Sequence, residues 1–187
     1  MKIAILGTRG IPNNYGGFEQ CAEYLSVGLV EKGYEVTVYS IHSHAYNEKT
    51  FQGVRIIKKW CPENKIGSAS NFVYDYLCLK DAVKQDFDII LELGLITSSL
   101  SIIFCRHRGK VIATNLDGLE WKRSKWNKIV QKVTKRLEKY GVKHSDYLIA
   151  DNAGIQKYIH DEYNRESEYI PYGAVDIAKP NTDCLVE

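Results

Sequence analysis

At 187 residues, with 44% hydrophobic and 26% charged side chains, the chain is long enough to bury one substantial core and short for two. No apolar run approaches the ~18–20 residues of a spanning helix, and Met1-Lys2 leads into a strand-like run instead of a secretory signal, so a cytoplasmic protein is expected. Net charge is only +2, yet residues 121–143 hold nine Lys/Arg against the single Glu138, a local +8 that leaves −6 for the remainder. Such a concentration suits an anionic partner: lipid, a diphosphate or nucleic acid. Five cysteines, at 21, 61, 78, 105 and 184, form no CxxC pair and leave one over, which excludes a disulfide framework and a zinc cage and implies reduced thiols.

In chain order the pattern opens with a strand over 2–6 (KIAIL), a glycine-rich turn and a helix from Gly17 to Lys32 that Gly33 terminates. Strands follow over 35–40 and 54–59, then a helix over 67–84, a strand over 88–93, a short apolar helix over 96–107 and a strand over 110–114. A basic helix occupies 124–143, before a strand over 146–150, a helix over 152–163 and a last strand at 168–171. The strands IAIL, DIILEL and YLIA are apolar on both faces, which suits a parallel sheet covered on both sides. The expected fold is α/β, a doubly wound Rossmann-like parallel sheet with helices on both faces. Ligands bind such sheets beyond the carboxyl ends of the strands, so function should gather in the turns after residues 6, 40, 93, 114, 150 and 171. Residues 178–187 lack periodicity and read as a linker cut short.

The first of these turns, GTRGIPNNYGGFE (7–19), places Gly16 and Gly17 directly before the helix. Paired glycines let backbone N–H groups approach a ligand, and the helix N-terminus adds about half a positive charge, a combination suited to phosphate. A tight turn needing positive φ explains the glycines equally well. A dinucleotide fingerprint is excluded: there is no GxGxxG, and the second strand ends at Ser40 without an acidic residue for a ribose. A Walker loop is excluded because no GK[ST] follows.

Here the sequence resembles the N-terminal domain of family 4 glycosyltransferases of the GT-B fold, and within them a bacterial rhamnosyltransferase-like branch. The carrying segments are ILGTRGIPNNYGGFE (5–19), whose Gly16-Gly17-Phe18-Glu19 matches a GGxE-like turn, NLDGLEWKRSKW (115–126), DYLIADN (146–152) and YIPYGAVD (169–176). The resemblance implies an acceptor-binding domain over 1–177, an interdomain linker over 178–187 and a donor-binding C-terminal domain that is absent. It implies retaining transfer without metal or cofactor, from a nucleotide sugar such as dTDP-rhamnose to a lipid-diphosphate-linked saccharide in cell-surface polysaccharide synthesis (capsule or lipopolysaccharide). The enzyme would then sit at the inner face of the cell membrane, and the 187 residues alone would be inactive.

Within that frame Asp117 is expected to orient the acceptor hydroxyl as the catalytic carboxylate, a bare Asp-Gly turn being the alternative. Gly16, Gly17, Glu19, Tyr15, Asn115, Glu120, Lys122, Arg123, Tyr172 and Gly173 are the expected substrate contacts, Lys122 and Arg123 for diphosphate. Along the basic helix Trp126, Val130, Val133, Leu137 and Tyr140 recur at near-helical spacing and are expected to face the core. Lys125, Lys128, Lys132, Lys135 and Lys139 are then left to face an anionic membrane. The competing account is a non-catalytic Rossmann-like module that binds membrane lipid or nucleic acid through this helix; no nucleic-acid motif accompanies it, so nucleic acid is not expected. Asp86-Phe87-Asp88 is formally a DxD but precedes its strand, on the wrong edge for a cleft, and His42 and His44 lack a third ligand, so no metal is expected.

Overall fold

The computed structural model describes residues 1–105, 109–116, 118–124 and 126–173. The first half runs β1 (Lys2–Leu6), α1 (Gly17–Glu31), β2 (Glu35–Ile41), β3 (Thr50–Phe51), β4 (Val54–Lys59), α2 (Glu63–Ile66) and α3 (Ser70–Ala82). The second runs β5 (Ile89–Glu92), α4 (Leu95–Cys105), β6 (Val111–Leu116), α5 (Lys128–His144), β7 (Tyr147–Ala150), α6 (Ala153–Tyr163) and β8 (Glu168–Tyr169). The strands form one sheet in the order β3-β4-β2-β1-β5-β6-β7-β8, parallel throughout except for the β3–β4 pair. From β1 the chain first builds outward through β2 and β4, then returns to β5 and builds the other way. The strand order therefore reverses between β1 and β5, and a doubly wound sheet opens its crevice at such a point.

Alternation along β1 assigns the two faces. Ala4 and Leu6 pack with Tyr74, Cys78, Leu79 and Ile102 of α3 and α4, while Ile3 and Ile5 pack with Ala22 of α1 and with Val36, Val38 and Val54. A third cluster of Leu95, Leu116, Val142, Leu148, Ile155 and Ile159 fastens α5 and α6 to the β6–β7 half. The doubly covered, two-faced apolar strands read from the sequence are thus present.

Local chemistry sets the boundaries. Gly33, at φ +84°, ends α1, and the expected helix over 67–84 begins at Ser70 because Gly67, at φ +56°, closes α2 and a 3-10 turn over Gly67–Ala69 intervenes. Gln52 and Gly53 both take positive φ and join β3 to β4 as a two-residue hairpin that hydrophobic periodicity does not reveal. The basic helix starts at Lys128 and not 124, since the Asn127 side chain accepts hydrogen bonds from the N–H groups of Ile129 (3.0 Å) and Val130 (2.9 Å). The expected linker, 178–187, lies outside the described residues.

The face on which α5 packs differs from the expected stripe. Thr134, Glu138, Gly141 and Val142 are buried, whereas Val133 and Tyr140 are 48% and 51% exposed and Ile129 is 75% exposed. Two contacts impose this rotation. Gly141 lies so close to α4 that a Cβ there would collide with the Leu95 side chain (2.9 Å from Cγ) and press on Ser99 Cβ at 3.3 Å. Glu138, fully buried, accepts hydrogen bonds from the hydroxyls of Tyr158 (2.5 Å) and Tyr163, both of α6. Lys135 follows Glu138 inward: its ammonium pairs with Glu138 and with Glu162 (3.0 Å) and lies 4.7–4.8 Å from the ring centroids of Trp121, Tyr158 and Tyr163. The expectation that Lys135 stands in solvent facing a membrane is therefore corrected, as is the core placement of Val133 and Tyr140.

Gly141→Val tests the close approach of α4 and α5. The added side chain forces Leu95 or the helix axis to move, and a loss on the order of 2 kcal/mol is expected in urea unfolding; an unchanged midpoint would show that the two helices part freely.

Candidate functional site

The turn after β1 is seated directly on the ends of neighbouring strands. Gly7 (φ +80°) and Gly10 (φ +122°) leave no room for a side chain: a Cβ on Gly7 would lie 2.5 Å from Gly94 N and against the Glu92 carboxylate, and one on Gly10 would lie 2.6 Å from Ser40 Cβ. The loop is pinned along its length. Gly10 N–H donates to Thr8 Oγ1 (2.8 Å), Tyr74 Oη donates to the Thr8 carbonyl (3.0 Å), and Ile11 is wholly buried. Glu19, only 3% exposed, turns its carboxylate inward to accept the Arg9 N–H at 2.7 Å. The Arg9 guanidinium pairs with Glu63 and lies 4.5 Å from the centroid of the Tyr15 ring, which is itself 72% exposed.

Gly16 and Gly17 are of a different kind. Gly16 is the N-cap of α1 in ordinary extended conformation (φ −166°), no side chain caps the helix, and a Cβ on Gly17 would meet nothing within 4 Å. The first-turn N–H groups, which have no partner inside a helix, thus open beside free space at the carboxyl edge of the sheet. The tight-turn and ligand-approach explanations of the glycines separate here: Gly7 and Gly10 satisfy the first, and Gly17 retains the second.

Across the switch point, the strand ends hold polar groups with unspent capacity. Among the described residues, buried side-chain atoms without a hydrogen-bond partner include Ser40 Oγ, Glu92 Oε2 and Asn115 Oδ1, at the carboxyl ends of β2, β5 and β6. Asn115 is 2% exposed and its amide donates to Tyr172 Oη at 2.8 Å, so two expected contacts from distant segments do meet. A buried acceptor with no partner is costly and normally finds water or a ligand. Past β6, Glu120 pairs with Arg123 (2.5 Å), Lys122 lies 5.2 Å from the centroid of the Trp121 ring, and Trp121 Nε1 donates to Tyr158 Oη at 3.2 Å. The loop is thereby tied to the Lys135–Glu138 cluster. Gly173 is exposed with open space beside it. Asp117 and Lys125 lie outside the described residues.

Gly7, Gly10, Ser40, Asp75, Glu92 and Gly94 belong to this region and were not singled out in the sequence. The available signal was Glu92, a carboxylate closing an otherwise apolar, doubly covered strand. The polar residues set aside in the sequence have local partners: Asp86 and Asp88 accept from Lys2 Nζ (2.9 Å) and Lys2 N–H (2.7 Å) at the amino edge, while His42 Nδ1 accepts the Cys61 N–H at 3.1 Å. A hollow of about 570 Å³ beside Lys2, Glu35, Arg55 and Asp86 also lies at that amino edge, away from the strand ends. Among the described residues no group of three His, Cys, Asp or Glu is placed to hold a metal, and no helix is long and apolar enough to cross a membrane.

A family model described as "Domain of unknown function (DUF1972)" matches residues 1–175. An uncharacterised 42.6 kDa protein in the cps region of Klebsiella pneumoniae is 41% identical over 58 residues, 30% of this chain and 16% of that protein. The solved structure of sucrose-phosphate synthase from Thermosynechococcus elongatus matches with a TM-score of 0.70 at 14% identity, over 92% of this chain and 48% of that one. The chain thus spans about half of the synthase, and the likeness is one of fold.

Behind the glycine turn, burial pushes the Glu92 carboxyl well up, the charge of Asp75 adds to the rise, and the hydrogen bond from Gly94 N–H opposes it. Burial likewise raises Asp75, to about 7, against a hydrogen bond with Thr97. Each group holds its proton in the folded chain at pH values where the unfolded chain has released it. Stability should therefore fall as pH rises from the ordinary carboxylate range of ~4 towards the Asp75 value of about 7. Urea midpoints across that window should decline, and Glu92→Gln, which keeps the shape and removes the charge, should flatten the decline and raise the alkaline midpoint. A pH-independent midpoint in the parent would disprove the shared burial.

Proposed function

The chain belongs to the DUF1972 family, and on that premise we propose that it is the acceptor-binding half of a GT-B, family 4 glycosyltransferase of a rhamnosyltransferase-like branch. The observation that carries this is the array at the switch point: a pinned glycine turn, an open and uncapped α1 N-terminus, and the unspent Asn115 acceptor on the same sheet edge. The fold shared with sucrose-phosphate synthase supports sugar transfer, and the relative in a cps region supports polysaccharide synthesis, capsule included.

In this proposal dTDP-rhamnose, or a similar nucleotide sugar, is the donor, and a lipid-diphosphate-linked saccharide is the acceptor. Asn115 and Asp117 hold the acceptor sugar, with the Asp117 carboxylate accepting the hydrogen bond of the attacking hydroxyl and orienting its lone pair toward the donor. The N–H groups beside Gly17 and the Lys122 ammonium offset diphosphate charge. Most donor contacts come from a second domain facing this one, so the 187 residues alone are expected to transfer nothing. The basic exposed face of α5 keeps the enzyme at the anionic inner face of the membrane, where a lipid-linked acceptor resides. A non-catalytic anion-binding module would account for α5 but not for the unspent acceptor at the cleft.

Two substitutions in a protein carrying both domains test the reading. Asp117→Asn should lower kcat by about 10²-fold or more while leaving the thermal midpoint in place; unchanged kinetics would reduce Asp117 to a turn residue. Gly17→Ala meets no neighbour, so stability should hold while nucleoside-diphosphate or acceptor-diphosphate affinity drops about tenfold, the equivalent of one hydrogen bond to a charged group. Wild-type affinity would remove the α1 N-terminus from the site.

A further inference from the structure

The rotation of α5 leaves apolar side chains on its outer face, and their arrangement is ordered. At ~100° per residue, Ile129, Val133 and Tyr140 fall within ~40° of one another around the helix. Lys128, Lys132, Arg136, Lys139 and Lys143 fall in the adjoining sector of ~80°. All eight side chains are exposed, and Thr134, Glu138, Gly141 and Val142 occupy the opposite, buried side. The outer face of α5 is thus itself divided lengthwise into an apolar edge and a cationic edge. Ile129, 75% exposed, stands one turn from Val133, so the exposed apolar side chains form a contiguous edge and not a single scattered residue.

We propose that this divided face is a membrane-insertion edge: the cationic strip meets anionic headgroups while Ile129, Val133 and Tyr140 enter the boundary between headgroups and acyl chains. The occupant is fixed by chemistry. The exposed strip itself carries the positive charges of Lys128, Lys132, Arg136, Lys139 and Lys143, which an anionic bilayer complements, and an interfacial helix in the membrane plane places its apolar side chains ~5–10 Å into that boundary. The ring of Tyr140 has the amphipathic character that favours this depth. Insertion also narrows the rotation of the domain about the α5 axis, because the apolar edge must enter the bilayer while the adjoining cationic strip stays at the headgroups. Insertion presupposes the membrane-side reading of α5 given above, and adds to it the side chains that enter and the expectation that salt cannot fully release the protein.

Co-sedimentation of the chain with vesicles of phosphatidylcholine, with and without phosphatidylglycerol, tests the edge across a salt series. Binding to anionic vesicles is expected to weaken with salt yet leave a salt-resistant fraction. Ile129→Gln with Val133→Gln should cut the affinity of that fraction about tenfold or more, whereas Lys132→Gln with Lys139→Gln should mainly lower binding at low salt. Both pairs lie on the surface, and unchanged thermal midpoints verify that the fold survives. The proposal is overturned if salt abolishes all binding and the Ile129→Gln/Val133→Gln variant matches the parent. It is equally overturned if that variant instead abolishes a lipid-independent self-association, or if duplex DNA is bound in preference to anionic vesicles. Vesicle binding is read without sugar transfer, so its failure leaves the transferase reading to the Asp117→Asn kinetics, and the reverse.

Discussion

The rest of the structure depends on two backbone turns meeting with no side chain between them. At the switch point the turn after β1 and the turn after β5 approach until Gly7 lies against Gly94 and the Glu92 carboxylate, and Leu93 N–H donates to the Leu6 carbonyl at 3.1 Å. Any L side chain at Gly7 would separate β1 from β5 at their carboxyl ends, where the sheet must stay closed for both faces to be covered. This contact also fixes the path of the loop that follows: over Ser40, past the buried Ile11, and out to the start of α1. The Glu92 carboxyl lies directly against Gly7, so the turn shares in the burial that keeps it protonated.

A second constraint operates within α5. Burying Glu138 removes a charge from water, and the cost is offset only because two tyrosine hydroxyls and the Lys135 ammonium converge on it. Once α5 is committed to presenting Glu138 inward, its apolar positions cannot all be inside. Ile129, Val133 and Tyr140 are displaced outward as a geometric consequence, and Trp121 is drawn in by its hydrogen bond to Tyr158. The loop after β6 and the outer face of α5 are therefore set by the same cluster.

This explains what could be read from the sequence and what could not. The strands were legible because a doubly covered parallel sheet demands unbroken apolar runs, and glycine after an amphipathic stretch marked the end of α1. The strand ends and turns bearing Tyr15, Asn115 and Tyr172 were legible as belonging to one edge, since parallel strands place every carboxyl end and following turn on the same side. The buried face of α5 was not, because hydrophobic periodicity assumes that helices bury their apolar side chains, and here a small residue at the α4 contact and a paired carboxylate took that face. Nor was the division of labour among glycines: residue type shows that a turn is permitted, but only the neighbours of Gly7 and Gly17 show which one is filled and which is open. Nor was the role of Glu19, whose position in the turn suggested a substrate contact and whose buried carboxylate accepts the Arg9 N–H.

The margins of the sheet carry a consequence of their own. Among the described residues both outermost strands are stubs of two residues, β3 held by a hairpin to β4 and β8 paired to β7 at two positions. An extended strand edge offers a ladder of free N–H and C=O groups on which another chain can add, and aggregation of parallel β proteins starts on such ladders. Two residues offer too short a ladder to hold a foreign strand. An interior of β-branched strands that would readily recruit its own kind is thereby finished at either side with a selvedge.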